Sequence, residues 1–111
     1  MTKFKQQFKK GLLELVILKL LCEKDHYGYS LIQEVNTRTN NSLELKEGTL
    51  YPLMHRLENQ ELIKSYWSRS KKGRENPRKY YQIMPRGRKK YVQMYLDYKE
   101  IIINISDVLN G

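Results

Sequence analysis

Along most of the chain the apolar positions follow the spacing of helices, and one stretch after residue 62 changes to the aromatic-rich habit of strands. A first helix is predicted from about Phe4 to Cys22. Its second half, with Leu12, Leu13, Leu15, Val16, Ile17, Leu18, Leu20 and Leu21, is apolar almost all round. A helix apolar on every side is covered on every side, so a second chain or the C-terminal helix is expected on the face that one small domain leaves open. A turn at Lys24–His26 leads to a short helix through about Thr37, with Gly28, Leu31, Ile32 and Val35 inward. Asn40 and Asn41 end it, and Leu43–Leu45 is expected to add a short extended piece.

In "EGTLYPLMHRLENQ" Leu50, Leu53, Met54 and Leu57 fall at i, i+3, i+4 and i+7, the buried face of a third helix. The opposite side carries Pro52, His55, Arg56 and Asn59, with Tyr51 at its margin. Pro52 is compatible with this helix if Thr49 is the N-cap, because the proline then falls at N3, where no intrahelical N–H is needed. Ile63–Trp67 and Lys79–Met84 read as the arms of a β-hairpin joined by the turn-forming "SRSKKGRENP". A last helix starts near Pro85 and runs to about Leu109, with Tyr91, Tyr95, Tyr98, Ile102, Ile105 and Leu109 spaced as a heptad seam.

The order helix, helix, helix, hairpin, long helix predicts a mainly α fold with a small β-hairpin (α+β). It is a winged helix-turn-helix plus a long C-terminal dimerisation helix. Residues 1–84 are expected to form the winged-helix domain and residues 85–111 the dimerisation helix. In such a fold the third helix enters the major groove of duplex DNA and the hairpin reaches the backbone or minor groove. Thr49, Tyr51 and His55 are then the groove-facing candidates, at a helix start that favours anions.

Charge sharpens this expectation. The formal net charge is +9. Between Lys64 and Lys90 eleven basic residues face the single acid Glu75, a local net of +10, whereas the remainder nets −1. Solvated faces ordinarily mix signs, so this segment points to a polyanionic partner. Arg69, Lys71, Lys72, Arg74, Arg78 and Lys79 are the candidate backbone contacts, which give affinity and salt dependence but little sequence information. Arg86, Arg88, Lys89 and Lys90 carry the positive surface into the last helix.

The single cysteine, Cys22, excludes an internal disulfide and agrees with a reducing compartment. The opening "KFKQQFKKGLLELVILKLLC" mimics a secretory signal, but Glu14 and Lys19 interrupt the apolar run and no small-residue cleavage site follows. It reads as a buried amphipathic helix in a cytoplasmic protein, too charged to span a bilayer. No Gly-rich phosphate loop or HExxH motif is present, no cofactor is implied, and an enzyme is not expected.

"HYGYSLIQEV", "EGTLYPLMHRLE", "LIKSYW" and "RKYYQI" followed by "RG" resemble the PadR-type transcriptional regulators, in the short subfamily with one C-terminal helix, over residues 8–110. The resemblance implies a homodimeric repressor, its C-terminal helix packed on the partner's first helix; two third helices related by that dimer axis then demand an inverted-repeat operator. Leu12 and Val16 with the seam from Tyr91 to Leu109 would form that interface. It also implies Thr49, Tyr51 and His55 on the DNA side and residues 69–78 as the wing. Some relatives are induced by small aromatic compounds at the dimer interface, and Tyr95 and Tyr98, placed where two symmetry-related last helices approach, are the candidate ligand residues here. Glu61 departs from the glycine usual after the recognition helix, and Met84-Pro85 from the usual threonine.

Plainer readings stand beside these. Tyr51 is either a DNA contact or a half-buried packing residue, and His55 a contact or a solvated side chain. The tyrosine seam is packing or packing plus ligand wall. Trp67 is expected to pack on its strand. Cys22 and His26, four apart, lack further metal ligands and are read as structural. The alternative function is a winged-helix protein-interaction module without sequence-specific DNA binding.

Overall fold

Thr2 caps the first helix, its hydroxyl accepting the Lys5 N–H at 3.1 Å, and opens helix α1 (Lys3–Glu23). The computed structural model describes residues 2–68 and 76–111. A short strand β1 (His26–Tyr27) follows, then α2 (Gly28–Arg38), α3 (Glu47–Asn59), β2 (Ile63–Ser68), β3 (Arg78–Ile83) and α4 (Pro85–Leu109). The fold is mainly helical with one small antiparallel sheet, as the pattern predicts. That sheet has three strands in the order β1-β3-β2, not the two of the predicted hairpin. His26 pairs with Tyr81 and Tyr27 with Tyr80, while β2 pairs with β3 from Ile63↔Ile83 to Ser68↔Arg78. Two residues are too few to show a strand period, so only the partner strand reveals β1.

The core gathers Leu13, Ile17, Leu18, Leu20 and Leu21 of α1, Leu31 and Val35 of α2, and Leu50, Leu53, Met54 and Leu57 of α3. Ile63, Tyr81 and Ile83 close it from the sheet. Leu12 and Val16 are half-buried and pack at its edge, together with Tyr91 and Met94 of α4. The expected cover of α1 is thus supplied in part by the chain's own last helix. Among the described residues only Gly87 of α4 is fully buried. A Cβ there would collide with the Leu62 carbonyl, which already accepts the Met84 N–H at 2.9 Å.

Two expectations fail on local grounds. Leu43–Leu45 forms no strand; the Asn36 side chain accepts the Leu45 N–H at 2.7 Å and donates to the Leu45 carbonyl at 2.9 Å, taking the place of a neighbouring strand. Thr49 is not an N-cap. Helix α3 begins two residues earlier, with Lys46 as its cap, so Pro52 is the sixth helical residue and removes a real bond to the Gly48 carbonyl. Gly48 and Pro52 are both exposed, which leaves that carbonyl open to water. The four buried apolar residues of α3 outweigh the lost bond.

The exits of α2 and of α3 both use left-handed backbone. Asn40 and Asn41 (φ 51° and 60°) terminate α2, the Asn41 N–H bonding the Asn36 carbonyl at 2.8 Å. Glu61 (φ 60°) ends α3, where the Leu62 N–H bonds the Leu57 carbonyl at 3.0 Å and the Glu61 N–H the Glu58 carbonyl at 2.9 Å. This is a complete Schellman closure with a β-carbon where glycine is favoured. Glu61→Gly is therefore expected to raise stability by about 1 kcal/mol, the relief of left-handed strain exceeding the added freedom of the unfolded chain. The lost Arg86–Glu61 pair, at 3.3 Å and exposed, contributes little. Urea denaturation of the two proteins measures the difference.

Candidate nucleic-acid interface

The buried stripe of α3 fixes which side of it faces outward. With Leu50, Leu53, Met54 and Leu57 in the core, Thr49, Tyr51, His55, Arg56 and Asn59 are exposed along one side. Arg56 leans back toward Glu14 of α1 at 3.6 Å. Tyr51 does two things at once. Its ring end rests on Gly28, where any Cβ would collide with it, yet the side chain is 46% exposed. Gly28 opens α2 because the tyrosine of the next helix lies against it.

The sheet is bound to α3 by one carboxylate. Glu58 accepts a hydrogen bond from the Ser65 hydroxyl at 2.9 Å and pairs with Lys79 at 3.8 Å. The sheet face carrying Ser65, Lys79 and Tyr81 is therefore turned toward α3. On the other face Tyr66 stacks on Tyr80 (5.7 Å) and Tyr80 meets Tyr27 (5.4 Å), with the Arg78 guanidinium 4.6 Å from the Tyr27 ring centre. The Tyr66 hydroxyl donates to Asp25 at 2.6 Å, which pushes the phenol up to about 12 and ties β2 across the sheet to the residue before β1.

Of the predicted wing residues, Arg78 and Lys79 lie exposed at the start of β3. Arg69, Lys71, Lys72 and Arg74 fall within residues 69–75, outside the described residues. Arg86, Arg88, Lys89 and Lys90 are exposed on the first turns of α4, with Arg88 reaching the Cys22 carbonyl at 3.4 Å. Trp67 corrects its expectation: it is 69% exposed rather than packed. Tyr29 is also overlooked by sequence reasoning, at 61% exposed beside Gly28. The signal available for Tyr29 is "YGY", aromatics bracketing a helix-opening glycine.

On the far side of the molecule, Tyr91 stacks with Tyr95 at 6.0 Å. Tyr95 and Tyr98 line a cleft of about 500 Å³ with Leu12, Leu15 and Val16. Ile102 lines a second groove with Phe8 and Leu12, while Ile105 and Leu109 are exposed toward the end of α4.

A short helical pair whose second helix faces outward, braced against a basic hairpin, defines a winged-helix DNA-binding protein. The chain belongs to the PadR-like family of transcriptional regulators, whose family model matches residues 17–93. It is similar to a PadR-like transcriptional regulator of Bacillus cereus, at 28% identity and TM-score 0.83, covering 95% of this chain and 98% of that one. A transcriptional regulator of Clostridium thermocellum is 34% identical, with TM-score 0.77 and coverage of 94% and 95%. An uncharacterised protein of Lysinibacillus sphaericus is 43% identical over 96 residues, 84% of this chain and 86% of that protein. The transcriptional regulator YqjI of Escherichia coli matches at 38% over half of this chain but only 27% of its own length. The chain is a DNA-binding regulator and not an enzyme. Among the described residues no helix is long and apolar enough to cross a membrane.

Beneath this surface, His26 is 2% exposed, and its Nδ1 lies 2.7 Å from the Ser30 hydroxyl, bracing the first turn of α2. Burial holds its imidazole below the ordinary 6.5, aided by Lys24 and opposed by Glu34 and Glu23. The folded state thus resists a proton that the unfolded chain accepts, so stability is full above pH 6.5 and falls as the pH drops toward the lower folded value. Thermal melts of wild type and His26→Asn from pH 7.5 downward should show wild type ahead at neutral pH and the gap closing on acidification.

Proposed function

We propose that the protein is a cytoplasmic, homodimeric repressor that binds an inverted-repeat operator through α3 and the hairpin. The observation that carries this reading is the outward line of Thr49, Tyr51 and His55 beside a hairpin whose neighbourhood holds the excess positive charge. Thr49, Tyr51 and His55 take base edges and adjacent phosphates. Arg78 and Lys79, with Arg69, Lys71, Lys72 and Arg74 of the wing, take the backbone.

Dimerisation is supported by α4. Of its 25 residues only Gly87 is fully buried, while Val92, Leu96, Ile101, Ile103, Ile105, Val108 and Leu109 are exposed. So much apolar surface on one helix calls for a partner. In this reading residues 1–84 bind DNA, and residues 85–111 pair with Leu12 and Val16 of the other copy through Tyr91, Tyr95, Tyr98, Ile102, Ile105 and Leu109. The cleft beside Tyr95 and Tyr98 suits a planar aromatic effector that relieves repression by altering the spacing of the two α3 helices.

Sedimentation equilibrium at micromolar concentration should give twice the chain mass, and removal of residues 99–111 should yield a monomeric or aggregating chain. A well-folded intact monomer would reject the dimer. Two α3 helices related by a dimer axis require half-sites about one or two helical turns apart. Tyr51→Ala and His55→Ala should each cost on the order of 1–3 kcal/mol at the operator and leave scrambled duplex nearly unaffected in competition at fixed salt. Equal weakening of both duplexes would make α3 a backbone clamp, and no duplex binding at moderate salt would favour a protein-interaction module.

A further inference from the structure

The exposed tryptophan has a defined position. Trp67 is in register with Lys79, and two residues from Ser65 on the same strand it shares the sheet face that Glu58 turns toward α3. Beyond the reach of the core, that face opens into a cleft of about 420 Å³ between hairpin and helices. Trp67, Lys79 and Tyr81 form its hairpin wall, while Tyr51 and Tyr29 stand on the helical side. The cleft is aromatic, carries cations at one rim, and is open to solvent.

We propose that this cleft is a slot for one sugar–phosphate strand of duplex DNA, with Trp67 and Tyr29 as contacts that hold the strand between helix and wing. The inference rests on α3 lying in the major groove. A major groove and the adjoining minor groove are separated by one backbone strand, so a protein with a helix in one and a hairpin in the other must straddle that strand. The gap between Tyr51 and Trp67 is where it passes. A deoxyribose ring is apolar on its faces, which suits the indole of Trp67. Lys79 lies at the rim to meet a phosphate. The Tyr29 hydroxyl accepts from Gln33 at 2.9 Å, so its own proton is directed elsewhere and can be donated to a phosphate oxygen. Helix α2 starts at this cleft with no acidic residue in its first turn, which keeps the site favourable to anions.

A neutral, flat contact to the backbone makes a prediction that neither base reading nor charge pairing shares. It adds affinity for every sequence without adding to the salt dependence. Trp67 is the only tryptophan, so its emission reports this position alone. Saturating the full-length protein with either operator or scrambled duplex should shift or quench that emission. Trp67→Ala should weaken both duplexes by about ten-fold with an unchanged log–log salt slope, and Trp67→Phe should recover most of the loss. Tyr29→Phe should weaken both by a smaller, equal factor, whereas Lys79→Ala should lower the slope. Trp67 emission unchanged at saturation, or wild-type affinity in Trp67→Ala, overturns the slot. If Tyr51→Ala still loses operator preference in that case, the placement of α3 stands without it. A Trp67→Ala protein that changes base preference instead of overall affinity also overturns the backbone assignment.

Discussion

A helix that is apolar around most of its circumference cannot be satisfied by one neighbour, and the whole domain is arranged to meet that demand of α1. Ile17, Leu18 and Leu21 are fully buried in the core that α1 shares with α2, α3 and the sheet. Tyr91 and Met94 of α4 add cover from another side. At roughly 1.5–3 kcal/mol for each large side chain withdrawn from water, this core outweighs the local backbone penalties around it. Cover is incomplete along Leu12, Leu15 and Val16, so the property that assembles the domain also leaves the stripe on which the proposed dimer rests.

Those penalties cluster around α3. Asn40, Asn41, Glu44 and Glu61 have positive φ, and Pro52 interrupts the second turn of the helix. Each would be avoided in a chain free to choose, because left-handed backbone and an internal proline both oppose regular structure. Asn40, Asn41 and Glu44 are tolerated because the connection must turn sharply to bring α3 across α2 with its apolar stripe inward, and Glu61 because it turns the chain from α3 into β2. The contact of Tyr51 with Gly28 then sets the separation of the two helices, and Glu58 sets that of helix and hairpin through Ser65 and Lys79. The Tyr66–Asp25 bond and the stacked tyrosines hold the opposite face of the sheet. A DNA-binding surface made of separate elements acts as one body only if such short, specific contacts fix their spacing.

Several of the basic residues also serve the protein itself. Lys79 is paired with Glu58, Arg86 with Glu61, and Arg88 with a backbone carbonyl. These links are exposed and individually weak, so a phosphate can compete for the same side chains. In the proposed complex the charge of the 64–90 segment supplies attraction at range, while shape at the helix–hairpin gap decides how a duplex seats.

The inward faces of α2 and α3 were legible in the sequence because the 3.6-residue periodicity is clear in each, and the last helix was placed from near Pro85 to about Leu109, as found. The winged-helix class followed from element order, and the polyanionic partner from a charge excess confined to one segment. Three features were not legible. The strand at His26–Tyr27 is two residues long and exists through its pairing with β3. The α3 start at Glu47 has no side-chain cap, so only the packing of α3 places it two residues before Thr49. Trp67 looked like strand packing because alternation shows which residues share a face but not how far the core beneath extends; past Ser65 it ends, and the tryptophan stands in the open gap beside α3. Local pattern fixed the elements, and distances between elements, which depend on contacts remote in sequence, decided the site.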